Sequence, residues 1–124
     1  MVTQLPADAE LHRQVNPDLL KMDGTVMSSA FIPKKTDQDK LSTRQGAIMT
    51  PRDAYDFHIG LGLKSAGTWS FYTRDAAPAI VLDDAQSGDA HASVCFDHCP
   101  SRRAREKLGK QIRACAKMTY KPVA

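Results

Sequence analysis

The sequence predicts a single α+β domain with about five mainly antiparallel strands and two principal helices. Several short segments alternate apolar and polar residues with a period of two, as half-buried strands do. Two longer segments begin with a helix-capping residue and continue with apolar residues three or four positions apart. The chain has 124 residues, 42% of them hydrophobic and 25% charged, which suits one core and excludes a disordered tail, a coiled coil or a disulfide-knotted peptide.

The strands are predicted from alternation, from β-branched content and from the turn residues between segments. Leu11, Arg13 and Val15 share one face of the first strand. Small and β-branched side chains over residues 25–32 predict a buried strand that Pro33 ends. The predicted strands are 11–15, 25–32, 41–43, 68–73, 79–82 and 91–97. Residues 1–9, which lie before the first predicted strand, are expected to be flexible.

Both helices are indicated by their caps. Thr50 is a capping residue, followed by Pro51 at the first helical position, and Gly60 and Gly62 are expected to end this helix. Ser101 caps the second helix, which continues into a basic tail, so residues 100–124 form one basic segment of the domain. The second helix carries a narrow apolar stripe of Ala104, Leu108, Ile112 and Cys115.

Charge is divided unevenly along the chain. Residues 100–124 hold eight basic residues and one acidic residue, a net +7, whereas residues 1–99 hold nine basic and thirteen acidic residues, a net −4. A cationic helix attracts phosphates and acidic proteins. Base stacking is not expected, because the helix has no interleaved aromatic residues. The predicted partner-binding residues are Arg102, Arg103, Arg105, Lys107, Lys110, Arg113 and Lys117.

A small cytoplasmic binding module is therefore the favoured function, and catalysis is the less favoured class. The module would contact an anionic partner, either an acidic protein or a nucleic-acid backbone, through its basic helix. The alternative is an enzyme or nucleotide-binding protein with a polar cleft around His12, Arg13, Ser29 and Ser42, which are the candidate catalytic residues. Ser28 and Ser29 lie beside Ala30 and Phe31 in a predicted apolar strand, and buried hydroxyls need hydrogen-bond partners. These two serines therefore either bond the backbone or allow close packing, or they line such a cleft for a small-molecule ligand.

The pairing of Arg13 on one strand with Ser42 and Thr43 on a later strand resembles the arrangement of ADP-ribosyltransferases. In that arrangement a catalytic glutamate late in the sheet completes the site. The chain has two glutamates, Glu10 and Glu106, and neither lies on a late predicted strand. The residue that carries the transferase chemistry is therefore missing from the expected place.

A second resemblance rests on four short elements. The sequence is similar to a pattern in small bacterial proteins of uncharacterised function. That pattern has an arginine-containing first strand, a Ser-x-Ala-Phe element, a Leu-Ser pair and a His-Ala pair in this order. The elements are LHRQV at 11–15, SSAFIP at 28–33, LS at 41–42 and HASV at 91–94. The resemblance implies a bacterial cytosolic origin and supplies no activity.

Histidine and cysteine residues cluster between residues 91 and 99 without the spacing of a metal site. His91 and Cys95 would lie about 13 Å apart on one strand face, too far to bind one ion, so neither a metal nor a cofactor is expected. The favoured interpretation is a half-buried strand cysteine, Cys95, and a loop cysteine, Cys99. The alternative is a reactive Cys99, whose thiol pKa the following helix N-terminus and the nearby basic residues would lower. The sequence predicts a reduced, cytoplasmic protein without membrane contact, because it has three cysteines and no secretory signal. It also has no apolar run near the ~20 residues that span a bilayer.

Overall fold

Seven strands and two α-helices make up the fold, in a computed structural model that describes residues 3–123. The strands are short, and four single-turn 3-10 segments occupy parts of the connections. The elements in chain order are β1 (Thr3–Gln4), β2 (Glu10–Gln14), β3 (Lys40–Gln45), α1 (Pro51–Gly60), β4 (Thr68–Tyr72), β5 (Val81–Asp83), β6 (His91–Cys95), α2 (Arg102–Cys115) and β7 (Lys117–Tyr120).

All seven strands belong to one antiparallel sheet in the order β1-β5-β6-β3-β2-β4-β7. The predicted α+β class is thus confirmed. Five of the six predicted strand segments overlap β2, β3, β4, β5 and β6. The two additional strands, β1 and β7, form the edges of the sheet and are too short to show a clear alternation in the sequence.

The predicted strand at residues 25–32 is wrong. Ser28–Phe31 forms a 3-10 segment, and only an isolated bridge between Leu20 and Val26 pairs the preceding chain. Ala30 and Phe31 are both 0% exposed, so the segment buries its apolar side chains by packing onto the sheet and against α2. The other residues of 25–32 are half-buried or exposed, so only part of the expected burial is observed. Tertiary packing overrides the β propensity of these residues.

One face of the sheet carries the hydrophobic core. Leu11 and Phe71 are paired neighbours on β2 and β4, and Val94 lies opposite Leu41 on β6 and β3. The Phe31 ring meets the Phe71 ring edge to face, with centroids 6.1 Å apart. The fully buried large side chains of the core are Leu11, Val15, Phe31, Leu41, Phe71, Val81, Val94, Phe96 and Ile112.

Helix α2 packs against the 3-10 segments Ser28–Phe31 and Thr73–Ala76, adds to the core cluster, and begins where its cap was predicted. The Ser101 hydroxyl accepts from the amide of Ala104 at 3.1 Å. Leu108 and Ile112 are buried as expected, but Cys115 is exposed and does not extend the apolar stripe. The third buried residue of α2 is Gly109, which lies against Ile32 and the backbone of Ser28.

The opposite face of the sheet is polar and only partly covered. Helix α1 packs on β2, β4 and β7, and the Tyr55 and Tyr120 rings lie 5.2 Å apart between centroids. Its predicted cap is confirmed, because Thr50 Oγ1 accepts from the amide of Asp53 at 3.1 Å. The polar residues of β3 and β6 lie beside α1 and border an open cleft. Across residues 3–123, no helix has both the length and the apolar character needed to cross a bilayer.

Candidate functional site

The polar face holds a cleft of about 600 Å³, here named the cationic cleft, beside β2, β3 and β6. Charged and polar side chains dominate its wall, and positive charge is in excess. Its cationic residues are Arg13, Lys34, Lys40, Arg44 and Lys64, and its carboxylates are Asp37 and Asp84. An anion that enters the cleft would therefore meet more positive than negative charge.

Strand alternation explains how the chain places these residues. Lys40, Ser42 and Arg44 alternate along β3 and point to the polar face, while the intervening residues point to the core. In the β3–β6 ladder, Ser42 lies opposite Ser93, and Arg44 lies opposite His91. The antiparallel register therefore brings His91 diagonally next to Ser42, within reach of its side chain.

Ser42, His91 and Asp84 form a continuous chain of hydrogen bonds at the cleft wall. Ser42 Oγ lies 2.5 Å from His91 Nε2, and His91 Nδ1 lies 2.5 Å from Asp84 Oδ1. The other carboxylate oxygen of Asp84 accepts from Ser93 Oγ at 2.5 Å. Asp84 immediately follows β5, so these hydrogen bonds join β3, β6 and the end of β5 in one polar network.

The protonation of this network follows from its partners. Burial alone would raise the pKa of Asp84, but the hydrogen bonds from Ser93 and His91 and the charge of His91 outweigh it, and the net shift is downward. An ionised Asp84 accepts only, so the Nδ1 of His91 must carry a proton and donate it. In neutral His91 the Nε2 lone pair is then free to accept from the Ser42 hydroxyl, which is the orientation that general-base catalysis requires.

Arg13 lies where β2 and β3 separate. Their ladder joins Leu11 to Gln45 and His12 to Arg44 and then stops, and the Arg13 side chain fills the gap. Its Nη1 donates to the Ser42 carbonyl and its Nε to the Ala30 carbonyl, both at 2.9 Å. Burial lowers the pKa of Arg13 to about 10, while the charge of Asp37 opposes the shift. The guanidinium therefore stays charged at neutral pH.

No carboxylate pairs directly with that charge in the part of the chain that the structure describes. Within residues 3–123, no Asp or Glu oxygen lies within 4.0 Å of a guanidinium nitrogen of Arg13. By contrast, Arg44 lies 3.9 Å from Asp89 and has its guanidinium carbon 4.7 Å from the centroid of the Phe57 ring. Arg13 is thus a half-buried cation whose guanidinium donates to two neutral carbonyls.

The structure brings three of the four candidate catalytic residues to the cleft. Arg13 and Ser42 line it directly, and Ser42 is exposed to it. His12 also borders the cleft but is 1% exposed, with Nδ1 accepting from Ser70 Oγ at 2.7 Å and Nε2 donating to the Met49 carbonyl at 3.0 Å. Burial lowers its pKa, against the opposing effects of Glu10 and the Met49 carbonyl.

Ser29 is exposed on the 3-10 segment Ser28–Phe31 and is not part of the cleft wall. The pairing of Ser42 with His91 and Asp84 was not predicted from the sequence, where His91 was considered only as a possible metal ligand. A usable signal was present: β3 carries polar residues at three alternating positions and β6 at two, His91 and Ser93, which indicates a polar face on both strands.

The predicted partner-binding residues differ in their surroundings. Arg102 donates to Glu106 at 3.0 Å, and Arg105 pairs with Asp39. Arg113 is half-buried and borders a second pocket, beside Trp69. Lys117 was expected on the helix face, but α2 ends at Cys115 and Lys117 lies on β7. The remaining three residues are exposed on α2: Arg103, Lys107 and Lys110.

The cysteines are all free, and none is activated by its surroundings. Cys99 is 6% exposed, and burial raises its thiol pKa even though Arg105 acts in the opposite direction. The alternative of a reactive Cys99 with a lowered pKa is therefore wrong, because desolvation outweighs the nearby positive charge. Among residues 3–123, no three His, Cys, Asp or Glu side chains are grouped so that they could hold a metal ion.

Comparisons of the chain with protein-family models, with curated proteins and with solved structures found no match.

Proposed function

We propose that the cationic cleft binds a small ligand that carries a phosphate group. The observation that supports this most directly is Arg13. Arg13 is half-buried, and a charge that is partly removed from water costs free energy unless hydrogen bonds or a counter-charge compensate it. Arg13 bonds only carbonyl oxygens and has no carboxylate within 4.0 Å among residues 3–123, so a bound anion would supply the missing counter-charge.

Two further properties favour phosphate as the anion. Phosphate offers several oxygens to more than one cation, and guanidinium groups bind it through paired N–H donors. Arg13 and Arg44 provide such donors, and Lys40 and Lys64 add point charges on the same wall. The cleft volume of about 600 Å³ also lies within the ~300–1,000 Å³ typical of small-ligand pockets.

Calorimetric titration of the full chain with ADP and with inorganic phosphate tests the proposal. We expect binding at low ionic strength that weakens with added salt, and we expect Lys40→Gln to raise the Kd by roughly tenfold, ~1.4 kcal/mol. Arg13→Lys keeps the charge but loses the paired donors, so it should also weaken binding. Lys121→Gln removes an exposed charge outside the cleft wall and serves as the matched control.

Two results would contradict the proposal. One is the absence of measurable binding of either compound to the wild-type chain at low salt. The other is an equal loss of affinity in Lys40→Gln and Lys121→Gln, which would point to a general charge effect. Lys40 is exposed, so its substitution should leave the melting temperature almost unchanged and the comparison should be free of unfolding.

A second candidate function rests on α2, where we propose a surface that contacts an anionic macromolecule. Arg103, Lys107 and Lys110 are exposed, and none has a carboxylate oxygen within 4.0 Å among residues 3–123. Such a surface fits a nucleic-acid backbone or an acidic protein, and the protein would then act as a binding module without catalysis.

The expected result for this surface is a mobility shift of a generic duplex RNA at low salt that disappears at moderate salt. Changing the three residues together to glutamate should abolish the shift. If the wild-type chain causes no shift at low salt, the nucleic-acid backbone is excluded, and polyglutamate then serves as the probe for an acidic protein partner.

We further propose a cytoplasmic location. The three cysteines are free in the structure, and an odd number without pairing is typical of a reducing compartment. The similarity of four short elements to small bacterial proteins supports the same proposal.

A further inference from the structure

We propose that Ser42, His91 and Asp84 form a nucleophilic centre that hydrolyses a phosphate ester bound in the cationic cleft. This inference rests on the proposed ligand class and adds a reaction to it. Ser42 is exposed to the cleft, whereas His91 and Asp84 are half-buried behind it. The hydroxyl is therefore the member of the chain that a ligand can reach.

The geometry is that of an activated serine. The two distances of 2.5 Å, from Ser42 Oγ to His91 Nε2 and from His91 Nδ1 to Asp84 Oδ1, place a base beside the nucleophile and an orienting carboxylate behind the base. Ser93 holds the other oxygen of Asp84 at 2.5 Å, so the carboxylate is fixed from two sides. Asp84 acts here as a positioning residue, since it acts through His91.

The charges around Ser42 indicate the kind of ester. Lys40 and Arg44 lie two residues to either side of Ser42 on the same strand face, and Arg13 Nη1 lies 2.9 Å from the Ser42 carbonyl oxygen. Phosphoryl transfer spreads negative charge over three oxygens, and positive groups on several sides stabilise it. Among the side chains that line the cleft, those of apolar type are Leu19 and Leu63, so the wall offers more charged groups for a phosphate than apolar groups for a long acyl chain.

The reaction has two steps that balance in atoms and charge. His91 Nε2 takes the Ser42 proton as Oγ attacks phosphorus, the bond from phosphorus to the ester oxygen breaks, and His91 returns the proton to the leaving alcohol. Water then attacks the phosphoserine, His91 accepts a proton from it, and Ser42 Oγ leaves and regains that proton. The sum is one ester and one water converted to one alcohol and one inorganic phosphate.

The test uses p-nitrophenyl phosphate with the full chain and compares Ser42→Ala with Ser29→Ala, an exposed serine outside the cleft wall. Wild type and Ser29→Ala should release p-nitrophenol at the same rate. Ser42→Ala should lower kcat by roughly 10³-fold or more. Asp84→Asn should lower kcat by ~10²–10⁴-fold with KM little changed, whereas a merely structural role would change KM or the melting temperature instead.

Phosphate binding, measured separately, distinguishes this inference from the function on which it rests. Ser42→Ala should still bind inorganic phosphate, because the cations remain. If wild type binds phosphate but turnover is absent or unaffected by Ser42→Ala, the catalytic inference is overturned and the binding proposal stands. If wild type does not bind phosphate, both the catalytic inference and the binding proposal are overturned. Ser42-dependent hydrolysis of p-nitrophenyl acetate, without hydrolysis of the phosphate ester, would overturn the assigned ester class.

Discussion

Phe31→Ala is expected to lower the free energy of unfolding by about 3–5 kcal/mol. The Phe31 side chain is 0% exposed, and its ring packs edge to face on Phe71 at 6.1 Å between centroids. Its removal leaves a cavity between the 3-10 segment and the sheet, and the surrounding side chains cannot fully close it. A loss of this size is a large part of the ~5–15 kcal/mol that stabilises a typical domain.

Urea denaturation followed by circular dichroism measures this effect. The matched control is Ile48→Ala, because Ile48 is an apolar residue that is 57% exposed. Its substitution should change the free energy of unfolding by less than about 0.5 kcal/mol. A Phe31→Ala variant as stable as the Ile48→Ala variant would contradict the packing described for the 3-10 segment.

Gly109→Ala is the second large expected effect, a destabilisation of about 1–3 kcal/mol. A Cβ atom at this position would lie 2.5 Å from Cγ1 of Ile32 and 3.1 Å from the carbonyl oxygen of Ser28. Alanine favours a helix by about 1 kcal/mol over glycine, so the steric cost must exceed that gain for the sign to be destabilising. The close approach of α2 to the segment before Pro33 is what creates the cost.

Gly60→Ala provides the matched control, since Gly60 is also helical and a Cβ there would meet nothing within 4 Å. We expect this variant to be more stable than wild type by up to about 1 kcal/mol. Thermal melting of the two variants should thus give shifts of opposite sign. Equal shifts would show that α2 does not need glycine for its contact with residues 28–32.

The strand at residues 25–32 shows where sequence patterns fail. Ala30 and Phe31 are fully buried, as the composition indicated, but Thr25, Met27 and Ser29 are exposed. Composition did not distinguish a paired strand from a 3-10 segment beneath a helix, because both bury the same side chains. The choice depends on α2, which begins about 70 residues later and packs on this segment.

Arg13 illustrates the same limit at the site. The sequence identified Arg13 as a candidate for a polar cleft, but the hydrogen bonds of its guanidinium depend on how far the β2–β3 ladder extends. The ladder stops after His12 pairs with Arg44, and the freed carbonyl of Ser42 then binds the guanidinium. That contact joins residues 29 positions apart, which no local pattern reports.

By itself, the sequence determined the α+β class, the caps at Thr50 and Ser101 and the concentration of positive charge after residue 100. These are local properties, set by side-chain periodicity, by capping hydrogen bonds within a few residues and by composition. Only the tertiary structure placed Ser42, His91 and Asp84 together. Ser42 and His91 are 49 residues apart, and His91 and Asp84 are seven apart. Their contact depends on β3 pairing with β6 in one register, and a shift of one residue would turn these side chains to the core face.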